Sequence, residues 1–504
     1  MTTNYASILG VPIDNITTEE ITEKILGYID SYRDDPVPKY IATVNTDFII
    51  NTMSLMFNRV RHPELLNILR KSDIVTADGM PLLWASKLLN SPLKERISGS
   101  DLLPLLAKEC SDRYRSIYFL GGSNDSGKRA SEILKRKYPN LKIAGYSSPL
   151  ITIEGDAMED SYDADEMLVK EINGASPDIL FIGFGNPKQE IWFQRNKHRL
   201  KVPVSIGIGG SYDFITGDTK RAPKWMQKSG LEWLYRVKED PFRLWKRYLN
   251  DFLRFGIQIT PAIIQSKLNL LKYKITGNKY PVKIIRRYDV VTESMNVYVK
   301  LPNPFYTNDL INIEKELREN KGQKVNYIFS FINVGFINSY AIGFLMNAFR
   351  SIEESENKFF IVDISKRIKN VMVVNHAFDY FADHICRDYP EVQRKIRYDK
   401  NLSSFNYTFF LKDNTVNVKM CGELDAGEMA RFKIDEIVKI IGDKRCNFNL
   451  KKLRFIDSSG IMLFLKIRKL LSEKNRNFTI SSMNRNVKQV FQITKLYRLF
   501  NVVG

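Results

Sequence analysis

Short apolar runs rich in β-branched residues alternate with stretches of helical periodicity in the N-terminal part of the chain. Most of these runs end in polar or glycine residues, as the buried strands of a parallel sheet do. The predicted strands are residues 41–44, 74–77, 116–120, 142–145, 179–182 and 203–208. Strands that alternate with helices predict a Rossmann-like α/β domain with a mainly parallel sheet covered on both faces.

Polar side chains follow the first two of these strands, at the edge where open parallel sheets bind ligands. Thr43 and Asn45 leave one strand and Asp78 leaves the next, where Gly79 allows a tight strand-to-helix turn. Arg96 lies in a Ser- and Gly-rich loop after the following helix. A carboxylate can remove a proton from an attacking hydroxyl, and an arginine can hold a leaving diphosphate. The plain alternative is a structural turn and a solvated arginine.

Three glycine-rich loops are predicted at the same sheet edge, which favours a nucleotide-sugar pocket over unrelated turns. The first loop, GGSNDSGK, departs from the phosphate loop of nucleoside triphosphatases, because Arg129 stands where that motif needs Ser or Thr. Its backbone N–H groups still suit a diphosphate, although a tight strand-helix turn explains the glycines equally well. The candidate binding residues in the three loops are Gly121, Gly122, Gly185, Lys188, Gln189, Gly209, Gly210 and Asp213.

Seven motifs in order resemble the WecG/TagA/CpsF family of bacterial glycosyltransferases: TVN, ADGMPLLWASK, ERISGSDLLP, YFLGG, GFGNPKQE, GIGGSYDFITGDTKRAPKWM and GLEWLYRVKEDPFRLWKRYL. The resemblance implies inverting transfer of an N-acetylmannosamine-like sugar from a UDP-sugar to a polyprenyl-diphosphate-linked sugar. It implies that Asp78 is the base, that Arg96 acts on the leaving group, and that Thr43, Asn45 and Gln189 bind substrate. Because no D-x-D pair follows these strands, metal independence is favoured. No cofactor is expected.

A basic segment follows this part of the chain, whose net charge is +19 over 504 residues. Residues 220–274 hold thirteen Lys or Arg against four Asp or Glu, interleaved with aromatic residues. No run reaches the roughly 18 apolar residues that a membrane span needs. The pattern favours a helical appendage on an anionic membrane surface, with a solvated basic face as the structural alternative. Nucleic acid is a rival partner for such interleaving, but no nucleic-acid module is recognisable.

The cysteines, the histidines and the N-terminal sequence bear on the cellular compartment and on metal binding. The four cysteines are scattered, and no secretory signal is recognisable, which indicates reduced thiols in a cytoplasmic protein at the inner face of the membrane. The four histidines form no cluster with metal-ligand spacing. The family resemblance implies that the appendage can complete the active site, so that its Arg221, Arg236 and Arg243 are candidates for contacts with substrate as well as with membrane. Homo-oligomerisation is a further possibility that the family resemblance implies.

The C-terminal part contains an internal repeat, because FINSYAIGFL at 336–345 aligns with FIDSSGIMLFL beginning at Phe455. The second copy resembles the STAS domain of anti-sigma-factor antagonists through its GELDA and DSSG motifs. That resemblance implies phosphorylation of Ser458 by a partner kinase, whereas the plain alternative is a helix cap. In the first copy, Asn338 and Ala341 replace the aspartate and glycine of the motif. We therefore predict that the first copy is a degenerate unit for docking or dimerisation.

The predicted organisation has four parts: a glycosyltransferase domain at 1–218, a basic helical appendage at 219–280, a degenerate STAS-like domain at 281–400 and a STAS domain at 401–504. The predicted function is glycosyl transfer in cell-envelope or exopolysaccharide synthesis, with the STAS-like domains binding a protein partner or kinase. The alternative is a regulatory scaffold in which the STAS pair binds a kinase or sigma-factor regulator and the transferase half is inactive.

Overall fold

The computed structural model describes residues 5–54, 60–155, 158–229, 231–239, 241–289, 294–305, 310–319, 325–355, 357–398, 405–429, 432–472 and 477–503. The predicted boundary between residues 400 and 401 lies outside these ranges. The division of the chain into four parts at the predicted positions therefore stays a prediction.

The N-terminal part is built on a parallel sheet. Its strands are β1 (Tyr5–Ile8), β2 (Val11–Asp14), β3 (Lys39–Val44), β4 (Ile74–Ala77), β5 (Ser116–Gly121), β6 (Lys142–Ser147), β7 (Ile179–Gly183) and β8 (Val204–Gly207). Strands β3 to β8 form one six-stranded sheet in the order β4-β3-β8-β7-β5-β6, and all of its pairings are parallel. Strands β1 and β2 form a separate antiparallel hairpin. The predicted Rossmann-like fold class is confirmed.

Helices cover both faces of this sheet. They are α1 (Thr18–Ser31), α2 (Thr46–Thr52), α3 (Pro63–Lys71), α4 (Met80–Leu88), α5 (Gly99–Asp112), α6 (Ser126–Lys137), α7 (Met158–Ala175), α8 (Lys188–Asn196) and α9 (Tyr212–Thr216). Polar caps set where several of them begin: Thr17 and Glu20 form a capping box on α1, and Ser98 caps α5. The sequence pattern predicts only a loop around Arg96. In the structure this loop leads directly into α5, which begins at Gly99.

The basic segment is helical, as predicted. Its helices are α10 (Lys224–Ser229), α11 (Glu232–Glu239) and α12 (Pro241–Thr276). One side of α12 packs against α2 and α4, and it buries Phe255, Ile259 and Ala262 in the core of the N-terminal part. None of the helices within the described ranges is both long enough and apolar enough to span a bilayer.

The next part of the chain forms its own four-stranded sheet. Its elements are β9 (Lys283–Asp289), β10 (Ser294–Lys300), α13 (Leu310–Glu319), β11 (Val325–Ser330), α14 (Ser339–Glu354), β12 (Lys358–Val362), α15 (Lys366–Val374), α16 (Phe378–Phe381) and α17 (Tyr389–Tyr398). The strand order is β12-β11-β10-β9. Strands β9 and β10 pair antiparallel, and the other two pairings are parallel.

The last part repeats this topology and adds one strand. Its elements are β13 (Asn406–Lys412), β14 (Thr415–Leu424), α18 (Ile434–Ile441), β15 (Arg445–Ile456), α19 (Ser458–Ser472), β16 (Phe478–Ser481), α20 (Arg485–Ile493) and β17 (Asn501–Val503). The order β13-β14-β15-β16-β17 again begins with an antiparallel hairpin followed by parallel pairings. Helices α14 and α19, which carry the repeated motif, occupy equivalent places after the third strand.

The two C-terminal parts of the chain contact the N-terminal part through the first residues of α14 and α19. In the first, the Ser339 hydroxyl donates to the carbonyl of Ser7, and a side chain at Gly343 would collide with Tyr5. In the second, the Ser458 N–H donates to Glu64 of α3 at 2.8 Å. The repeated motif therefore forms a contact between domains in both copies.

Candidate active site

A cavity of about 1230 Å³ opens at the carboxyl edge of the parallel sheet. Its floor is formed where β3, β4, β7 and β8 end, and residues of α11 and α12 line its opposite side. Adjacent parallel strands deliver their following residues to one such edge, which explains why residues distant in sequence meet here.

Nine of the twelve residues predicted for this site line the cavity. They are Thr43, Asn45, Asp78, Arg96, Gly185, Gln189, Gly209, Gly210 and Asp213. The other three, Gly121, Gly122 and Lys188, do not line it. A Cβ at Gly121 would lie 2.7 Å from the Phe184 ring, and one at Gly122 would lie 2.6 Å from Ser126 Oγ. These two glycines therefore permit close packing between loops, which explains their sequence signal without a ligand.

Asp78 lies directly after β4, at the turn into α4. Gly79 has φ +150°, a conformation that side chains rarely adopt, and this lets the chain turn there. The side chain of Asp78 is 29% exposed towards the cavity, and its Oδ1 lies 3.8 Å from Arg96 Nη1. Burial raises the pKa of Asp78 to about 6, against the opposing effect of Arg96 and Arg236. A carboxyl of this kind can exchange a proton near neutral pH.

Arg96 lies among three carboxylates. Its Nη2 donates to Asp101 Oδ2 at 2.9 Å, and its Nη1 lies 3.4 Å from Glu232 Oε2 in addition to the contact with Asp78. Asp101 sits in the first turn of α5, where Ser98 Oγ also donates to it at 2.6 Å. These contacts fix the guanidinium at the cavity wall, where it can meet an anionic group of a ligand.

Thr43 and Asn45 support the rim with their side chains. The Thr43 hydroxyl donates to the Gly207 carbonyl at 2.8 Å, which ties β3 to the end of β8. Asn45 caps α2, because its Oδ1 accepts the N–H groups of Asp47 and Phe48 at 2.9 and 3.3 Å. Both residues line the cavity while holding the loops around it in place.

Gln189 links the start of α8 to the glycine-rich loop after β8. Its Oε1 accepts the Gly209 N–H at 3.0 Å, and its Nε2 donates to Glu190 Oε1 at 2.7 Å. Glu190 is fully buried, also accepts a hydrogen bond from the Tyr40 hydroxyl at 3.1 Å, and has its pKa raised to about 7 by burial. The sequence reasoning missed Glu190, although it stands beside Gln189 in GNPKQE. This buried network braces two walls of the cavity.

The appendage supplies residues to the cavity. Glu232 and Arg236 of α11 both line it and lie 3.4 Å apart. Arg236 also sits over the Phe214 ring at 4.8 Å. Arg221, another predicted contact, binds Asp101 at 2.6 Å behind Arg96, whereas the side chain of Arg243 lies outside the described residues. The family resemblance implied that basic residues of the appendage contact substrate, whereas the contact of Glu232 with Arg96 was not predicted.

In the ranges that the structure describes, no group of three or more His, Cys, Asp or Glu side chains is arranged to hold a metal ion. The positive charges that lower the pKa of Asp78 are those of Arg96 and Arg236.

Ser458 does not line this cavity and is fully buried. Its Oγ accepts a hydrogen bond from Arg195 Nε of α8 at 2.8 Å, and its N–H donates to Glu64 of α3. Asp457 is 2% exposed and caps α19 from within its own domain, since its Oδ1 accepts the Gly460 N–H at 2.8 Å. The predicted modification site is thus covered by the N-terminal part of the chain.

The parallel sheet with an open cavity at its carboxyl edge defines the N-terminal part as a Rossmann-like α/β domain with a candidate ligand-binding site. A family model described as "Glycosyl transferase WecG/TagA/CpsF family" matches residues 6–269, more than half of the chain. The chain therefore belongs to the WecG/TagA/CpsF glycosyl transferase family. A STAS domain model matches residues 411–503, which identifies one STAS domain at the C-terminal end.

Similar proteins include two named N-acetylglucosaminyldiphosphoundecaprenol N-acetyl-beta-D-mannosaminyltransferase. The one from Bacillus subtilis (strain 168) is 33% identical over 46% of this chain and 84% of its own length. The one from Staphylococcus aureus (strain MRSA252) is 31% identical over 49% of this chain and 87% of its own length. Among solved structures, the unphosphorylated anti-sigma factor antagonist SpoIIAA is 23% identical, with a TM-score of 0.18, over 20% of this chain and 89% of that chain.

Proposed function

We propose that this protein is an inverting glycosyltransferase of cell-envelope or exopolysaccharide synthesis, which moves an N-acetylmannosamine-like sugar from a UDP-sugar to a polyprenyl-diphosphate-linked sugar. The observation that carries the proposal is the meeting of Asp78 and Arg96 in one open cavity. The family membership and the names of the relatives support the reaction class and the lipid-linked acceptor.

In the proposed reaction, the carboxylate of Asp78 takes the proton from the acceptor sugar's hydroxyl while that oxygen attacks the anomeric carbon of the donor. The bond from that carbon to the diphosphate oxygen breaks on the opposite face, and UDP leaves with the electron pair. Arg96 stabilises the charge that develops on the diphosphate. With a pKa of about 6, Asp78 is ionised at neutral pH and is still basic enough to accept a proton.

The diphosphate would compete with Glu232 for Arg96. Glu232 Oε2 now lies 3.4 Å from Arg96 Nη1, in a position where a phosphate oxygen could take its place. Since Glu232 belongs to α11, donor binding would separate its carboxylate from Arg96 and so move a negative charge near the start of the appendage. Arg236, which lies 3.4 Å from the same carboxylate, could then follow the incoming phosphate.

We also propose that α12 lies on the anionic inner face of the cell membrane. It presents an exposed apolar stripe at helical spacings of three and four residues, beside exposed Lys246 and Lys274. The stripe consists of Phe242, Trp245, Leu249, Phe252, Leu253, Ile257, Ile264, Leu268, Leu271 and Ile275. Its members Trp245, Leu249 and Phe252 also line the cavity, so the stripe runs along the cavity mouth. A helix that lies in the interface in this way would keep the cavity near a lipid-linked acceptor.

For the C-terminal parts we propose a regulatory or docking role. The shared strand order supports a degenerate STAS-like domain at 281–400, although the STAS family model matches only the second unit. Phosphorylation of Ser458 by a partner kinase is part of the proposal. Because Ser458 is buried against Arg195 and Glu64, such a modification requires the STAS domain to move first.

The test is UDP release by purified full-length protein from a panel of UDP-sugars, with and without a short-chain prenyl-diphosphate-GlcNAc acceptor. We expect release that requires the acceptor and favours UDP-N-acetylmannosamine. Folded protein that releases no UDP with any donor would contradict the proposed activity. Co-purification of a kinase in that case would favour the scaffold alternative.

A further inference from the structure

Helix α8 connects two sites that lie at its opposite ends. Its first turn carries Gln189 and Glu190, which brace the cavity. Its last turn carries Arg195, which meets Ser458 of the STAS domain. A helix of nine residues is about 13 Å long, so a shift at one end is transmitted to the other as a nearly rigid movement.

The contact at Ser458 is fully enclosed by protein. Ser458 is 0% exposed, its Oγ lies 2.8 Å from Arg195 Nε, and its N–H lies 2.8 Å from Glu64 Oε1. Arg195 is held from the other side as well, because its Nη1 donates to the Thr152 carbonyl at 2.9 Å. Any larger side chain at position 458 must therefore separate α19 from α8.

The charges around this contact also oppose an added negative charge. The carboxylates of Glu64, Asp165 and Asp457 all act on the Arg195 guanidinium. Burial, together with Glu64 and Asp425, holds the pKa of Asp457 well above its usual range. A further anionic group would enter a closed space that already holds the carboxylates of Glu64 and Asp165 beside the Arg195 guanidinium.

We propose that the Ser458 face of the STAS domain is a releasable coupling to the transferase cavity. In the docked state it holds α8 in place, and a larger or charged group at Ser458 releases both α19 and the cavity end of α8. Arg195 and Ser458 are then positioning residues for the cavity. The effect on turnover rests on the proposed function, whereas the effect on α8 does not.

The start of α14 in the other docked unit contacts a different part of the N-terminal region. At its equivalent helix start, the Tyr340 N–H donates to Ser91 Oγ at 3.2 Å, and the Tyr340 hydroxyl binds the carbonyl of Pro92. Neither Ser91 nor Pro92 lines the cavity. Of the two helix starts, the one that contacts α8 is therefore that of the second unit, which is also the unit that keeps the motif serine.

The test is amide hydrogen exchange of the full chain, read by mass spectrometry, for the parent, Ser458→Glu and Arg195→Ala. We expect exchange across residues 188–196 and 458–472 to rise about tenfold in both variants, because both elements lose the contact that restrains their opening. Ser472→Glu is the matched control, since it places the same charge at the exposed end of α19 and should leave both segments unchanged.

Unchanged exchange across 188–196 in both variants would overturn the coupling, as would an equal rise in Ser472→Glu. If Ser458→Glu merely unfolds the STAS domain, strand β15 will also exchange fast, and Arg195→Ala then decides because it leaves every STAS residue intact. If the parent is active, we expect Arg195→Ala to raise the KM for the UDP-sugar several-fold and to lower kcat by a smaller factor. Arg195→Lys should restore part of the lost affinity for the UDP-sugar. An inactive parent would contradict the proposed function but leave the exchange result valid.

Discussion

Two aspartates in this protein follow a strand and precede a helix, yet their surroundings differ. Asp78 stands between β4 and α4, and Asp457 stands between β15 and α19. Each has an arginine and further carboxylates nearby. The Asp78 side chain is 29% exposed to a cavity of about 1230 Å³, whereas Asp457 is 2% exposed beneath another domain. The same local arrangement can bind a ligand when it stays open and join two domains when it is closed.

The two carboxylates also differ in their hydrogen-bond partners. Both oxygens of Asp457 accept backbone N–H groups of its own domain, from Gly460 at 2.8 Å and from Ala426 at 3.3 Å. Those bonds commit the carboxylate to the fold of the STAS domain. Asp78 instead meets Arg96 at 3.8 Å, which is longer than a hydrogen bond and leaves room for an incoming hydroxyl.

The largest expected difference between the two aspartates is in turnover. Asp78→Asn should lower kcat about 10²–10⁴-fold, because the general base is lost while the shape of the cavity is kept. Asp457→Asn should leave kcat at saturating donor almost unchanged, since Asp457 does not line the cavity. Steady-state UDP release by the two variants checks this. Equal kcat values for Asp78→Asn and the parent would remove Asp78 from the mechanism.

A smaller effect is expected on stability at the closed site. Arg195→Ala should destabilise the contact between the STAS domain and α8 by about 3–5 kcal/mol, because it leaves buried carboxylates without their cation. Calorimetry should show an earlier first unfolding transition. The control is Arg129→Ala, which removes an exposed ion pair with Asp218 and should leave the transition in place. A first transition that does not move in Arg195→Ala would mean that the contact contributes little.

The smallest expected effect is a gain in the free energy of unfolding of Asp78→Asn over the parent, and this gain depends on pH. Since the pKa of Asp78 is raised to about 6 in the fold, the parent loses stability as pH rises from about 4 to 6, where only the folded state keeps the proton. Asp78→Asn avoids this loss. It should be about 1–3 kcal/mol more stable than the parent above pH 6 and equal to it below about pH 4.

Melting temperatures of both proteins between pH 4 and 8 check this prediction. An Asp78→Asn protein that is less stable than the parent at pH 8 would show that the carboxylate stabilises the fold, in conflict with a raised pKa.

Much of the open site could be predicted from the sequence because its signals are local. Apolar runs predicted the strands, and parallel strands bring the residues after them to one edge, so Thr43, Asn45, Asp78 and Arg96 were expected together. The glycine-rich loop at Gly121 and Gly122 was also predicted to bind a ligand, but its glycines have a different purpose. Their loop packs against Phe184 and Ser126, and only the tertiary structure distinguishes such packing from a ligand site.

The closed site could not be predicted in the same way. The DSSG motif indicated a modifiable serine, but Glu64 and Arg195, which cover it, lie several hundred residues earlier and belong to no recognised motif. Glu232 in the cavity was missed for a similar reason, since its contact with Arg96 depends on how the appendage folds back. Contacts between domains leave little periodicity or local pattern in a sequence.

The most direct test of Asp78 as the catalytic base is the pH dependence of acceptor-dependent UDP release. We predict that kcat/KM rises with pH through about 6 and levels off above it, because only the ionised carboxylate can accept the proton. The residual activity of Asp78→Asn should lack this step. A parent profile that is flat between pH 5 and 7, or a step that persists in Asp78→Asn, would contradict the account.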